Sequence, residues 1–112
     1  MASEQPSRAE LIQGTLDMLI LRTLSAQSMH GYGIAQHIGR LSQEVLRVEQ
    51  GSLYPALERL QQKGWVTSKW ATTPTNRKAR YYTITASGRK HLGEKSALYD
   101  RVALAIARIM AG

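Results

Sequence analysis

The side chains of this sequence whose types and spacing could do chemistry are cations gathered in one stretch. Between Lys63 and Lys90 there are seven Lys and Arg residues and no Asp or Glu. Met1 to Gln62 carries 5 basic and 6 acidic side chains, whereas Lys63 to Gly112 carries 10 basic and 2 acidic. The formal net charge of +7 over 112 residues is therefore a property of the second half. Uncompensated cations at this density attract a polyanion, of which nucleic acid is the commonest. The groups that catalysis or metal binding needs are scattered instead. His30, His37 and His91 lie far apart, with no Asp or Glu beside them at ligand-like spacing. Gly31-Tyr32-Gly33 lacks the further glycines of a phosphate-cradling loop, and Asp17 and Asp100 stand alone. Zero Cys residues exclude disulfides, thiolate zinc sites and a Cys nucleophile. No enzyme, no metal and no cofactor is expected.

The elements that must position the cations are short. A chain of 112 residues allows one domain with a modest core, which makes association with a second copy an expectation. The start, MASEQPSRAE, has no apolar run after a basic stretch, so no secretory signal is read there. No apolar run approaches the ~20 residues that cross a bilayer. A cytoplasmic protein without membrane contact is expected.

Ser7-Arg8-Ala9-Glu10 reads as a capping box that opens a first helix. Ile12, Leu16, Leu19, Ile20 and Leu24 form its apolar stripe, with Leu11, Met18 and Leu21 on a second side. A helix apolar on two sides must be covered on two sides, and a partner subunit is the expected second cover. Met29 to Gly33 reads as a tight turn before a short helix carrying Ile34, Ala35, Ile38 and Leu41. A third helix is expected from Ser52 as N-cap, with Pro55 in the first turn and Gly64 as the C′ residue. Leu53, Leu57 and Leu60 are its buried stripe.

The period then changes. Trp65 to Trp70 and Ala79 to Ile84 are rich in strand formers, separated by the polar loop Thr72 to Lys78. Both Trp65 and Trp70 are expected in the hairpin core. Thr85 caps a fourth helix running to about Met110, with Leu98, Val102, Ala105 and Ile109 on one stripe. Tyr99, Ala103, Ile106 and Met110 form the neighbouring stripe, so this helix too asks for a second copy. The expected dimer interface is Leu11 and Met18 with Tyr99, Val102, Ala103, Ile106, Ile109 and Met110.

Helix, helix, helix, hairpin, helix is the order of a winged helix-turn-helix with a C-terminal dimerisation helix, a mainly α (α+β) class. Residues 1–6 are expected to be a disordered tail, 7–85 the DNA-binding unit and 86–112 the dimerisation helix. In such motifs the recognition helix enters the major groove of double-stranded DNA. Here it offers Ser52, Tyr54, Pro55, Glu58 and Arg59 for readout, while Asn76, Arg77, Lys78 and Arg80 at the hairpin tip supply affinity. The alternative is a winged helix that contacts only protein. It needs no basic wing, so the run of cations counts against it.

His30-Gly31-Tyr32-Gly33-Ile34, Gly51-Ser52-Leu53-Tyr54-Pro55-Ala56-Leu57 with Arg59-Leu60, Gly64-Trp65-Val66, Arg80-Tyr81-Tyr82 and Thr85-Ala86-Ser87-Gly88 together resemble the PadR family of bacterial transcriptional regulators. The resemblance runs from about Gly14 to Arg108, in the form of the small class with a single C-terminal helix. It implies a homodimer that interdigitates its first and last helices and represses neighbouring genes until an effector releases it from a pseudo-palindromic operator. It also implies an effector pocket at the dimer interface, lined in small members by an aromatic residue of the last helix, commonly Trp. The matching residue here is Tyr99, so the candidate pocket holds Met18 and Tyr99 and would take a small aromatic or apolar effector.

Overall fold

The computed structural model describes residues 8–112, with side chains described from Thr15 onward. The expected tail, the Ser7 cap and the Leu11 side chain lie outside that range. The order of elements is α1 (Arg8–Ala26), β1 (Met29–His30), α2 (Gly31–Leu41), α3 (Gln50–Gln62), β2 (Val66–Thr72), β3 (Lys78–Ile84) and α4 (Ala86–Ala111). The strands form an antiparallel sheet in the order β1-β3-β2. Four helices and a small sheet make the α+β winged helix that the sequence pattern predicts.

The buried side chains are those that the helical spacing selects. Leu53, Ala56, Leu57 and Leu60 of α3 meet Leu16, Ile20, Leu21 and Leu24 of α1 and Ile34 and Ile38 of α2. Val66, Tyr82 and Ile84 close the core from the sheet, and Leu92 from α4. Burying a Leu or Ile side chain contributes about 1.5–3 kcal/mol, so these contacts hold α3 against the bundle. Leu21 is buried within the chain, so at its position α1 is covered without the partner subunit that its second apolar stripe was expected to need.

Local chemistry explains where α3 stops and α4 starts. Gly64 takes φ +75°, its amide donates to the Gln61 carbonyl at 3.0 Å, and the Trp65 amide donates to the Leu60 carbonyl at 3.0 Å. That is a Schellman ending, and it turns the chain into β2. Thr85 Oγ1 accepts from the Gly88 amide at 3.0 Å and donates to the Gly64 carbonyl at 2.7 Å. The Thr85 cap thus also ties α4 to the end of α3. Gly88 lies against the Trp65 carbonyl so closely that a Cβ would collide with it. The first turns of α4, through Leu92, belong to the core of the winged helix.

Further expectations are corrected. The third helix starts at Gln50 with Glu49 as N-cap, not at Ser52: the Glu49 carbonyl accepts from the Ser52 amide at 3.0 Å and the Leu53 amide at 2.9 Å, with no side-chain cap. Pro55 therefore lies inside α3, where its missing amide frees the Gly51 carbonyl on an exposed turn that water can solvate. Met29 and His30 are a strand rather than a turn, because β3 offers them a free edge, in register Met29↔Tyr82 and His30↔Tyr81. His30 then caps α2, its Nδ1 accepting from the Gly33 amide at 3.0 Å. The hairpin ladder extends to Thr72↔Lys78, so Lys78 and Arg80 stand in β3 rather than in the tip. Trp70 is 65% exposed, not core, because the ladder outruns the helices that would cover it. Trp65 precedes β2, half-buried, and stacks on His91 of α4 with ring centroids 3.6 Å apart.

Candidate nucleic-acid interface

The buried stripe of α3 dictates its outward one. With Leu53, Ala56, Leu57 and Leu60 inside, the 3.6-residue period turns Gly51, Tyr54, Pro55 and Glu58 outward, and all four are exposed. Ser52 is half-buried at the edge of that face. The Gln50 and Gly51 amides have no carbonyl one turn earlier in the helix, which leaves donors at an exposed helix start. Tyr54 is held rather than free. Its ring lies over Gly31, so closely that a Cβ there would sit 2.8 Å from the hydroxyl oxygen. Arg59, half-buried, points away from this face and donates from Nη2 to Asp17 Oδ1 of α1 at 3.0 Å.

The wing is shaped by one turn. The Asn76 amide donates to the Thr73 carbonyl at 2.9 Å, and the Thr73 amide to the Arg77 carbonyl at 2.7 Å. Pro74 sits at the second turn position, and Asn76 takes φ +64°, a conformation that Asn tolerates. Asn76 thus has a backbone task in addition to its exposed side chain. Arg77 follows at the tip, and Lys78 and Arg80 are exposed along β3.

Strand alternation decides which way these cations face. Val66↔Ile84, Ser68↔Tyr82, Trp70↔Arg80 and Thr72↔Lys78 are cross-strand pairs on one side of the hairpin. Val66, Tyr82 and Ile84 are buried against the helices, and Ser68 Oγ donates to Gln61 Oε1 of α3 at 2.9 Å. Arg80 and Lys78 therefore lie on the side of the wing that looks toward α3. Lys69 and Tyr81 are on the other side, where Tyr81 meets the His30 ring edge-on at 5.3 Å.

Tyr82 is where helix and wing meet. Burial pushes its hydroxyl above the usual phenol range; Arg80 beside it acts in the opposite sense, and Tyr54 and Glu58 reinforce the rise. Side chains from the outward face of α3 and from β3 thus share one electrostatic neighbourhood. The arrangement offers a protruding helix for a major groove and a cationic ribbon for the adjoining backbone.

The other expected surface lies on α4. Beyond Leu92 the helix runs clear of the core, with Tyr99, Val102, Ile106, Ile109 and Met110 exposed and Ala103 half-buried. Met18 is half-buried and packs on the core of its own chain. Sequence reasoning did not foresee Gly31 beneath Tyr54, the pairing of Asp17, read as standing alone, with Arg59, or the exposure of Trp70. Counting by twos from buried Val66 puts Trp70 on the core side of β2, but only the length of the sheet relative to α3 shows that nothing covers it.

The comparisons with known proteins agree with this geometry. A protein of Lysinibacillus sphaericus, itself uncharacterized, is 30% identical over 87 residues, which is 78% of this chain and 80% of that protein. The structure of a transcriptional regulator from Clostridium thermocellum superposes with a TM-score of 0.80 at 27% identity, covering 88% of this chain and 96% of that one. A PadR family transcriptional regulator from Eggerthella lenta gives a TM-score of 0.76 at 27% identity over 90% of this chain and 86% of its own. The model of the PadR-like family of transcriptional regulators matches residues 20–94, which run from the buried face of α1 through the wing into α4. With the helix-and-wing surface lying inside that match, the chain belongs to the PadR-like family of DNA-binding transcriptional regulators.

Proposed function

We propose that the chain acts in the cytoplasm as a homodimeric repressor. It holds a pseudo-palindromic operator through two copies of the surface made by α3 and the wing. The observation that carries this reading is the exposed outward face of α3 beside a wing whose Lys78 and Arg80 lie on the same side as Ser68, which donates to Gln61 of α3. Ser52, Tyr54, Pro55 and Glu58 face base edges, while Asn76, Arg77, Lys78 and Arg80 hold the backbone and the neighbouring minor groove. Arg59 keeps α3 in place through Asp17 instead of contacting DNA. Residues 7–85 supply the DNA-binding unit, and α4 from Leu98 onward supplies the twofold seam.

An uncovered stripe of Leu98, Tyr99, Val102, Ile106, Ile109 and Met110 supports the dimer, because a run of apolar side chains this long in water favours association. The effector is a small aromatic or apolar molecule that meets Tyr99 and Met18 at that seam and favours the released state by binding it better. Footprinting on the promoter of the chain's own gene tests the reading. Protection of two half-sites related by a twofold, about one helical turn apart, is expected. Protection of a single asymmetric site, or none, contradicts it.

A further inference from the structure

We infer that Trp70 is itself a nucleic-acid contact: its indole packs against the deoxyribose wall of the minor groove beside the wing and holds Arg80 against that groove. The inference rests on the DNA-binding reading above. A single exposed apolar side chain is ordinary on a protein surface. What marks Trp70 is its company. It is 65% exposed on the side of the hairpin that faces α3, and it is paired across the ladder with Arg80. The Arg80 guanidinium carbon stands 5.6 Å from the indole centroid. Held on the ring, the guanidinium has fewer rotamers to lose on binding, so less affinity is spent in fixing it.

Trp70, Ala71, Thr72 and Lys78 line an open concavity of about 570 Å³ along β2. Its wall is apolar and its rim cationic, with Arg77 at the adjacent tip. A deoxyribose between two phosphates has the matching character, an apolar ring flanked by anions. The concavity also continues the surface already assigned to DNA. A second copy of the chain, itself at a net charge of +7, would be repelled by the cations around it.

The test uses a labelled mixed-sequence duplex, because a sugar contact is independent of sequence. Trp70→Ala should weaken binding ~10-fold, at the scale of aromatic contacts to nucleic acid. The slope of affinity against salt should stay unchanged, because no charge is removed. Trp70→Phe should keep part of the affinity, and Arg80→Ala should lower the slope. The chain has 2 Trp residues; Trp70 is 65% exposed while Trp65 is half-buried and stacked on His91, so most of the emission open to acrylamide quenching belongs to Trp70. Saturating duplex should protect that emission in the parent chain, and the protected component should vanish in Trp70→Phe.

Both the affinity loss and the protection are required. If Trp70→Ala binds within about twofold of the parent, or bound duplex leaves quenching unaltered, DNA binding stands and the contact is overturned. A changed oligomeric state in Trp70→Ala with DNA affinity retained assigns the indole to a second copy and also overturns it. Failure of the parent chain to bind any duplex removes the DNA-binding reading, and this inference with it.

Discussion

Arg59 of α3 donates from Nη2 to Asp17 Oδ1 of α1 across 3.0 Å, which turns a cation of the recognition helix inward to brace that helix. The two side chains are 40% and 28% exposed, so solvent screens the pair. Asp17→Asn should cost only about 0.5 kcal/mol of stability, as partly exposed ion pairs do. Arg59→Ala should leave the salt slope of DNA binding unchanged, whereas removing an Arg that touches phosphate lowers it by about one. Chemical denaturation and salt titration of each variant check both statements. A slope lowered by Arg59→Ala shows that the guanidinium reaches DNA.

Tyr54 and Gly31 are coupled by contact, since a Cβ at Gly31 would lie 2.8–3.0 Å from three atoms of the phenol end. Tyr54 is 44% exposed, so its ring can swing outward at little cost to folding. Gly31→Ala should therefore keep the fold while reducing discrimination between operator and random DNA. Tyr54→Ala should reduce discrimination to a similar extent, and the double variant should lose no more than either alone. Competition binding on the two duplexes measures this. Additive losses would mean that the two residues act separately.

Ile106 is 54% exposed in the middle of the α4 stripe. Ile106→Glu places a charge where the proposed seam must exclude water, and it should give monomers in sedimentation. A monomer presents one half-site surface, so operator affinity should fall steeply. An unchanged dimer rejects this seam.

Tyr82 sets a limit at high pH. Its folded-state pKa is raised above 10.0 by burial, so the native state holds the proton more tightly than the unfolded chain does. The stability this contributes is fully present below the unfolded value and is lost as pH rises through the folded one. Unfolding measured from neutral pH upward should show stability falling above about pH 10, and Tyr82→Phe should flatten that fall. An equal fall in Tyr82→Phe places the cause elsewhere.

Much of the fold was legible in the sequence because its signals are local. Thr85 followed by Gly88, and Gly64 after Lys63, name a helix start and a helix end through bonds spanning a few residues. The stripe Leu53, Leu57, Leu60 likewise named both faces of α3. What stayed hidden depends on partners distant in the chain. Met29 and His30 become a strand only because β3 lies beside them, and Arg59 finds Asp17 on another helix. The start of α3 was misplaced because Glu49 caps it through its backbone alone, which leaves no side-chain signature. Trp70 was assigned to the core because alternation gives the face of a strand and not how far the cover over it reaches.

The most direct measurement is affinity for operator and random duplexes as a function of salt, on the parent chain and on Arg77→Ala with Lys78→Ala. A dimer that neutralises about 6–10 phosphates should lose ~10³–10⁵-fold in affinity between about 50 and 200 mM salt. Removing the two wing cations should weaken binding to both duplexes alike and flatten the slope. Binding that is indifferent to salt, or a double variant whose losses fall on the operator alone, contradicts a cationic wing that positions a reading helix.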